Sequence, residues 1–296
     1  MAETRLESFY TKNYKKLLII PLILFVFAIS VLSIQYTNTG EIMDKDVTLK
    51  GGISATIYSN AEINFEELEL ALINQFSDSD VSVRELSSFT DKEKVGVIIE
   101  ITDITNEELQ PFLEEQFSFD LNSETYSVQE MGSALSDSFY KEMLLAIAFA
   151  FLLMAIVVFI VFRKVIPSLA VVFSALFDLG VTLAIVSVIG MKISTAGIAA
   201  FLMVIGYSID TDILLTTRML RRKAGSLYDR TYGAFKTGLT MTITTISALG
   251  VALLITSSPV LRQMFSIILI ALLIDLIATW CMNAPVLTWY VKNGNK

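Results

Sequence analysis

"VIGYSIDTDILLTTRMLRR", residues 204–222, places two aspartates inside a run that otherwise has the composition of a membrane-spanning helix. A carboxylate at the centre of a bilayer costs about 2.5 to 3.5 kcal/mol, so acids at that depth usually face a bundle interior or a water path. Two helical steps turn the chain by about 200°. Asp210 and Asp212 are therefore predicted to face different neighbours, and the run itself predicts a membrane protein.

The composition of the whole chain agrees with that prediction. Of its 296 residues, 54% are hydrophobic and 18% are charged, with a mean hydropathy of +0.63, which is more apolar than a soluble domain of this length. A hydrocarbon core about 30 Å thick needs roughly 20 apolar residues per helix. Pro285 is expected to bend or end the last apolar run. Six runs meet the length and predict six transmembrane helices: 17–36, 143–162, 165–189, 193–215, 237–256 and 264–291.

Several function classes are excluded or disfavoured by composition. The chain has no histidine and a single cysteine, Cys281, which removes His-based catalysis, imidazole zinc sites and an internal disulfide framework. No nucleotide-binding glycine motif occurs, and the net charge of −8 disfavours nucleic acid as a partner. An intramembrane aspartyl protease is disfavoured because the acid follows Gly-Tyr-Ser-Ile. The sequence predicts no enzyme, no cofactor and no metal site.

Basic residues set the expected orientation, since cytoplasmic loops carry an excess of Lys and Arg. With the N-terminus inside, 14 of the 22 basic residues fall on the cytoplasmic side. Both termini are therefore predicted to be cytoplasmic. The 14 residues are Arg5, Lys12, Lys15, Lys16, Arg163, Lys164, Arg218, Arg221, Arg222, Lys223, Arg230, Lys236, Lys292 and Lys296.

The segment between the first two runs is predicted to be a folded domain outside the cytoplasm. It carries 22 acidic and 6 basic residues, which keeps a small domain soluble or, alternatively, steers a partner. Its hydrophobic periodicity alternates between strand and helix in the order β-α-β-β-α-β. That order predicts a ferredoxin-like α+β sandwich. The predicted organisation is 1–36 for the N-terminus and first helix, 37–141 for this domain and 142–296 for helices two to six.

Four acids fall inside the predicted spans, and no Lys or Arg lies deep in any of them: Asp178, Asp210, Asp212 and Asp275. These four are candidate ion-coupling residues, because intramembrane acids commonly serve ion pathways. Arg218 follows Asp212 by six residues, so an alternative is that Asp212 reaches water at a helix end.

Polar and small residues near these acids complete the candidate site. Gly206 is expected to let another helix approach closely. Hydroxyls of the fifth span either face the acids, forming a polar seam for water, a proton or a cation, or bond back to helix carbonyls. The supporting seam residues are Tyr207, Ser208, Thr211, Thr240 and Thr244.

Local motifs resemble one protein family. "VIGYSIDTDILLTTR" resembles the fourth-span signature of SecF in the SecD/SecF family of protein-export membrane proteins, especially its archaeal form. "FDLG", "LKGGI", "MGSALSDSFYKEML" and "KTGLTMTITTISAL" resemble other segments of that family. The overall plan is similar to one half of an RND-type transporter. The resemblance covers nearly the whole chain.

The resemblance implies a role in Sec-dependent export in the cytoplasmic membrane. It implies SecD, the Sec translocon channel, a translocating unfolded polypeptide and membrane lipid as partners, with a proton gradient as the driving force. The bacterial family pattern places its fourth-span acid at Thr211 and a fifth-span arginine at Met241, which leaves the coupling ion open here. Asp210 and Asp178 are expected to form a polar centre facing the SecD half. A half-transporter for lipid or small molecules and a structural assembly subunit are the alternatives.

Overall fold

The computed structural model describes residues 13–58, 64–77, 79–87, 94–102, 104–117, 121–122, 125–221, 225–256 and 258–294. Five of the basic residues used to predict orientation lie outside these ranges: Arg5, Lys12, Arg222, Lys223 and Lys296.

Helices and strands alternate in the segment between the first two spans. The helices are α1 (Ile19–Thr39), α2 (Val47–Lys50), α3 (Phe65–Gln75), α4 (Asn106–Phe117), α5 (Ser133–Phe162), α6 (Val165–Val188), α7 (Thr195–Arg221), α8 (Leu227–Ile255), α9 (Pro259–Ile277) and α10 (Ala284–Asn293). A π-helical segment, Ala278–Asn283, joins α9 to α10. The strands are β1 (Gly52–Tyr58), β2 (Val81–Ser87), β3 (Lys94–Ile101) and β4 (Tyr126–Met131).

Six helices in the described part of the chain are long and apolar enough to cross a membrane, as predicted. In chain order, the first to sixth spans are Asn13–Thr39, Ser138–Phe162, Val165–Val188, Thr195–Arg221, Leu227–Ile255 and Pro259–Asn293. Most of these helices extend beyond the predicted apolar runs at one or both ends. The fifth starts ten residues early because the Ser226 hydroxyl and the Asp229 carboxylate form a reciprocal capping box there.

Pro285 was expected to bend or end the sixth span, and the second of these expectations is wrong because the span does not end there. The helix continues to Asn293, and the residues just before Pro285 widen into the π-helical segment. The amide of Ala284 bonds to the carbonyl of Thr279, five residues back. A wide turn changes the hydrogen-bond pattern where proline has no N–H to donate, so the chain passes the proline without a break.

The third span is the centre of the helical unit. One apolar cluster joins Ala28 of the first span to Phe177 of the third and Ile274 of the sixth. Another joins Val158 of the second span to Val171 of the third. The third, fourth and sixth spans are half buried within the chain, whereas most of the first, second and fifth is exposed. The spans with the candidate acids are therefore the three interior ones.

Lys45–Leu144 and Lys192–Thr195 form a second compact unit, separate from the unit that holds the spans. Its elements follow the order β-α-β-β-α-β, and its four strands form one antiparallel sheet in the order β2-β3-β1-β4. Leu72 of α3 and Leu113 of α4 are fully buried with Ile53 and Ile57 of β1 and Ile99 of β3. The two helices thus share one hydrophobic core with the central strands.

Gly52 begins β1 at a position where a side chain does not fit. Its φ is +125°, and a Cβ there would collide with the carbonyl oxygen of Ile101 on the neighbouring strand. Glycine is therefore required by both the backbone conformation and the close strand approach.

The loop before the fourth span belongs to this second unit. The Thr195 amide donates to the Thr48 hydroxyl at 3.0 Å, and the Asp46 amide donates to the Ile193 carbonyl at 3.0 Å. Lys192 Nζ lies 3.2 Å from Glu100 Oε2. The segment that leads into the fourth span is thus held by backbone and side-chain bonds to α2 and β3.

Candidate functional site

Three acids from three different spans converge inside the helical unit. Asp178 and Asp212 are fully buried, and Asp275 is 2% exposed. They come from the third, fourth and sixth spans, the interior helices of the bundle. The alternative that Asp212 reaches water at a helix end is wrong, because its helix continues to Arg221 and the side chain points inward.

Each of the three carboxyls accepts a hydrogen bond from a polar side chain. Ser208 Oγ donates to Asp178 Oδ2 at 2.5 Å, and Asn283 Nδ2 donates to Asp212 Oδ1 at 2.7 Å. Thr279 Oγ1 lies 3.3 Å from Asp275 Oδ1. These bonds link the third span to the fourth and the fourth to the sixth. The cluster therefore joins all three interior helices through polar contacts, in addition to their apolar packing.

The carboxyls of Asp178, Asp212 and Asp275 are close enough to one another to interact electrostatically. One oxygen of each carboxyl is buried without a hydrogen-bond donor from the described residues. Ionised carboxylates accept hydrogen bonds and do not donate them. A proton or a cation among these three carboxyls would offset their mutual repulsion.

No Lys or Arg among the described residues forms an ion pair with these three acids. A buried charge without a counter-charge is costly, so such acids must be neutral, hydrated or bound to a cation. The described residues contain no group of three acid, His or Cys side chains arranged to hold a metal ion.

Asp210 lies on the opposite face of the fourth span, as the helical spacing predicts. It is exposed together with Gly206 and Tyr207, whereas Asp212 is buried with Ser208 on the other face. The expected centre of Asp210 with Asp178 is therefore wrong, because Asp178 is enclosed within the chain and its neighbours are Ser208, Asp275 and Asp212. Sequence spacing separates the two fourth-span acids but does not show which one faces the third span.

Gly206 has no atom of another element within 4 Å of where its Cβ would lie, so the expected close helix approach does not occur there within the chain. The approach occurs at Gly238 of the fifth span. A Cβ on Gly238 would lie 2.8 Å from Trp280 Cζ2 and 3.2 Å from Thr211 Cγ2. Thr211 is accordingly buried against the fifth span, and its side chain serves packing there.

The fifth-span hydroxyls bond back to their own helix, and the expected seam with the acids does not form. Thr240 Oγ1 donates to the Lys236 carbonyl at 2.8 Å, and Thr244 Oγ1 donates to the Met241 carbonyl at 2.8 Å. Both threonines are exposed on the outer face. Thr237, Thr242, Thr245 and Ser247 bond back in the same way.

Two site residues were not among the sequence-based candidates, Thr279 and Asn283. Both lie in or at the end of the π-helical segment, and both are buried. They follow Asp275 at positions i+4 and i+8, which places all three on one helical stripe. That polar stripe in an apolar run was the signal that could have identified them.

The spans and the buried carboxyl cluster define the class of protein. The chain is a multi-pass membrane protein that carries an α/β domain between its first two spans and titratable groups in its interior helices. The family described as "Protein export membrane protein SecD/SecF, C-terminal" matches residues 113–293.

Curated relatives show the branch of that family. Protein-export membrane protein SecF of Methanocaldococcus jannaschii is 35% identical over 95% of this chain and 96% of the relative. Protein-export membrane protein SecF of Pyrococcus furiosus is 36% identical over 97% of this chain and 94% of the relative. The chain belongs to the SecF family of protein-export membrane proteins, as its motifs predicted, and is an accessory membrane subunit of Sec protein export.

Solved structures show the same fold in a larger chain. The crystal structure of SecDF, a translocon-associated membrane protein from Thermus thermophilus, matches with a TM-score of 0.76 at 16% identity. The match covers 97% of this chain and 38% of that one. SecDF in the super-membrane-facing form matches with a TM-score of 0.60 at 18% identity, covering 39% of its chain. This chain thus spans less than half of the length of those SecDF chains.

Proposed function

We propose that this chain is the SecF-type subunit of a SecD–SecF complex that assists Sec-dependent export across the cytoplasmic membrane and is coupled to an ion gradient through intramembrane aspartates. Family membership supports the export role. The likeness to about two fifths of a SecDF chain supports a second, separate subunit that supplies the remainder. The proposed role is not enzymatic. Its proposed partners besides SecD are the Sec channel, the translocating unfolded polypeptide and membrane lipid.

The observation that carries ion coupling is the convergence of Asp178, Asp212 and Asp275. They lie in the bundle interior with no basic partner among the described residues and with one unpartnered oxygen each. A unit charge that crosses 100 mV gains about 2.3 kcal/mol, enough to shift a balanced conformational equilibrium by more than tenfold. Protonation or cation release at this cluster would change the contacts of three helices together.

Asp210 contributes a second proposed element, on the outer face of the fourth span. Its exposed strip with Gly206 and Tyr207 places an acid, a hydroxyl and a small residue where a neighbouring subunit packs closely. We assign this strip to the contact with SecD, so the fourth span has one acid in the chain's own cluster and one toward the partner.

The domain between the first two spans is proposed to be a ferredoxin-like sandwich outside the cytoplasm, within predicted bounds 37–141. The strand order β2-β3-β1-β4 with both helices on one core supports that fold. The excess of basic residues at the other ends of the spans supports cytoplasmic termini. Residues 192–195 belong to this domain, and the chain continues directly from them into the fourth span.

The experiment combines purification and reconstitution. We expect the full chain to co-purify with SecD and the Sec channel, and the reconstituted complex to raise export in vesicles above that of the channel alone. We expect Asp212→Asn to remove the stimulation by an imposed ion gradient while SecD still co-purifies. Asp80→Asn, at a 79% exposed side chain of the outer domain, is the matched control and should export like the wild type.

Other outcomes would contradict the proposal. Flux of lipid or small molecules in vesicles without any Sec channel would favour a half-transporter. If Asn variants at all four span acids keep gradient-stimulated export but lose SecD, the acids have a structural role in assembly.

A further inference from the structure

A groove on the helical unit is lined by none of the three clustered acids and has no assigned role. It has a volume of about 550 Å³, within the range of roughly 300 to 1,000 Å³ of small-molecule sites. Three spans form it: the start of the first, the start of the fifth and the π-helical part of the sixth. Its lining residues are Asn13, Lys16, Leu17, Ile20, Tyr228, Thr231, Tyr232, Phe235, Trp280, Cys281 and Ala284.

The groove changes from polar to apolar along the spans. Asn13 and Lys16 lie in the first turns of the first span, and Ile20 follows one turn further on. On the fifth span, Tyr228 lies at the helix start and Phe235 lies seven residues, about 10 Å, deeper. The Phe235 ring packs edge-on against Trp280 with ring centroids 5.0 Å apart. One end therefore offers a cation and hydroxyls, and the other offers a rigid aromatic wall.

The charge and openness of the groove favour one kind of occupant. Lys16 is the charged residue among its described lining residues, and no acid lines it there. Ile20 is 47% exposed and Tyr232 is 53% exposed, so the groove opens toward the surroundings of the bundle. Those surroundings at the spans are hydrocarbon, with headgroups at the helix ends. Basic pockets between spans at this depth are suited to anionic headgroups.

We propose that this groove binds an anionic phospholipid, with its phosphate at Lys16 and one hydrocarbon chain between Ile20, Phe235 and Trp280. Tyr228 and Tyr232, whose rings stack with centroids 5.8 Å apart, form the wall at headgroup depth. Aromatic rings with a polar edge are favourable at that interface. The proposal depends on membrane insertion and not on ion coupling, so a failure here leaves the export role untouched.

Trp280 itself reports on the lipid. The chain has two tryptophans, so Trp289→Phe leaves Trp280 as the single emitter. The full chain is reconstituted in phosphatidylcholine vesicles with a small, equal fraction of brominated phosphatidylglycerol or brominated phosphatidylcholine. We expect the anionic brominated lipid to quench Trp280 emission more strongly. Lys16→Gln should lower that preference about fivefold, equivalent to about 1 kcal/mol for one Lys near the headgroups.

Lys15→Gln is the matched control, because Lys15 is the adjacent exposed cation and does not line the groove. It should keep the preference within twofold of the parent. Equal quenching by the two brominated lipids, or an unchanged preference in Lys16→Gln, would overturn the proposal.

Cys281 gives a second measurement that needs no charge substitution. It is the only cysteine in the sequence and lines the groove. Maleimide modification of Cys281 should slow when phosphatidylglycerol replaces phosphatidylcholine, in the chain alone and in its complex with SecD. If Cys281 becomes protected only on adding SecD, and brominated lipids no longer quench Trp280, a partner helix fills the groove and the lipid proposal is wrong.

Discussion

The strongest pH-dependent prediction concerns Asp46, which caps the short helix α2 in the domain outside the spans. One oxygen of its carboxyl accepts bonds from the Thr48 amide at 2.9 Å and the Thr48 hydroxyl at 2.5 Å. That same hydroxyl accepts the bond from Thr195. Burial is the main cause that raises the pKa of Asp46 from 3.8 to about 6, and the negative charge of Glu100 adds to it.

The direction of the pH dependence follows from the higher pKa of Asp46 in the folded state than in the unfolded state. The folded state holds the proton more tightly, so its extra stability is fully present below about pH 4 and is lost as pH rises through about 6. A pKa difference of about two at 1.36 kcal/mol per pH unit corresponds to about 3 kcal/mol. Because part of the carboxyl reaches solvent, we reduce this to about 1 to 2 kcal/mol, or roughly 5- to 30-fold in local opening.

Hydrogen exchange of the full chain measures this local opening. After correction for intrinsic exchange rates, protection of residues 45–50 and 192–196 should fall roughly 5- to 30-fold between pH 4 and pH 8. Asp46→Asn keeps an oxygen that accepts both Thr48 bonds and carries no charge. Its protection should be independent of pH and should exceed that of the wild type at pH 8.

Glu115→Gln removes the charge of an exposed carboxyl on α4, a different helix, and should leave the pH profile unaltered. If Asp46→Asn is less protected than the wild type at pH 8, the ionised carboxylate stabilises α2 as a helix cap and the burial argument is refuted.

Two further substitutions, one of them with a control, test the packing of the spans. Gly238→Ala should destabilise the purified chain by up to about 2 kcal/mol, because overpacking against Trp280 costs about 1 to 3 kcal/mol and the loss of a helical glycine regains up to about 1 kcal/mol. Gly206→Ala is the control, because the space around Gly206 is open. It should unfold at the same concentration of denaturing detergent as the wild type, or at a higher one. Asn283→Leu removes the 2.7 Å bond to Asp212 and should cost about 1 to 3 kcal/mol in the same unfolding assay, so an unchanged midpoint would contradict the described contact.

The membrane plan follows directly from local sequence. Apolar runs of the required length correspond to the six observed spans, because every backbone group in a bilayer must be bonded within its own helix. The alternating periods between the first two runs also predict the order of strands and helices in the domain between the first two spans. Helix ends were less predictable, since capping by Ser226 and Asp229 extends the fifth span into polar sequence.

The internal arrangement of the site depends on tertiary packing and was only partly predictable. Helical geometry places Asp210 and Asp212 on opposite faces, yet which face meets Asp178 depends on how the third and fourth spans pack. Ser208, one turn before Asp212, was the polar residue that marks the inner face. The sequence does not show that the fifth-span threonines bond back to their own helix. The pattern of hydroxyl residues is the same whether they bond to helix carbonyls or to neighbouring side chains.

Direct measurement of ion movement is the closest test of the carboxyl cluster as the coupling site. The complex of this chain with SecD and the Sec channel is placed in vesicles that carry an internal pH indicator or an internal sodium indicator, and an ion gradient is imposed while a substrate polypeptide is exported. We predict that export speeds the decay of one gradient, and that Asp178→Asn, Asp212→Asn and Asp275→Asn each abolish this extra decay while the complex stays assembled. Equal decay in the wild type and all three assembled variants would contradict the account.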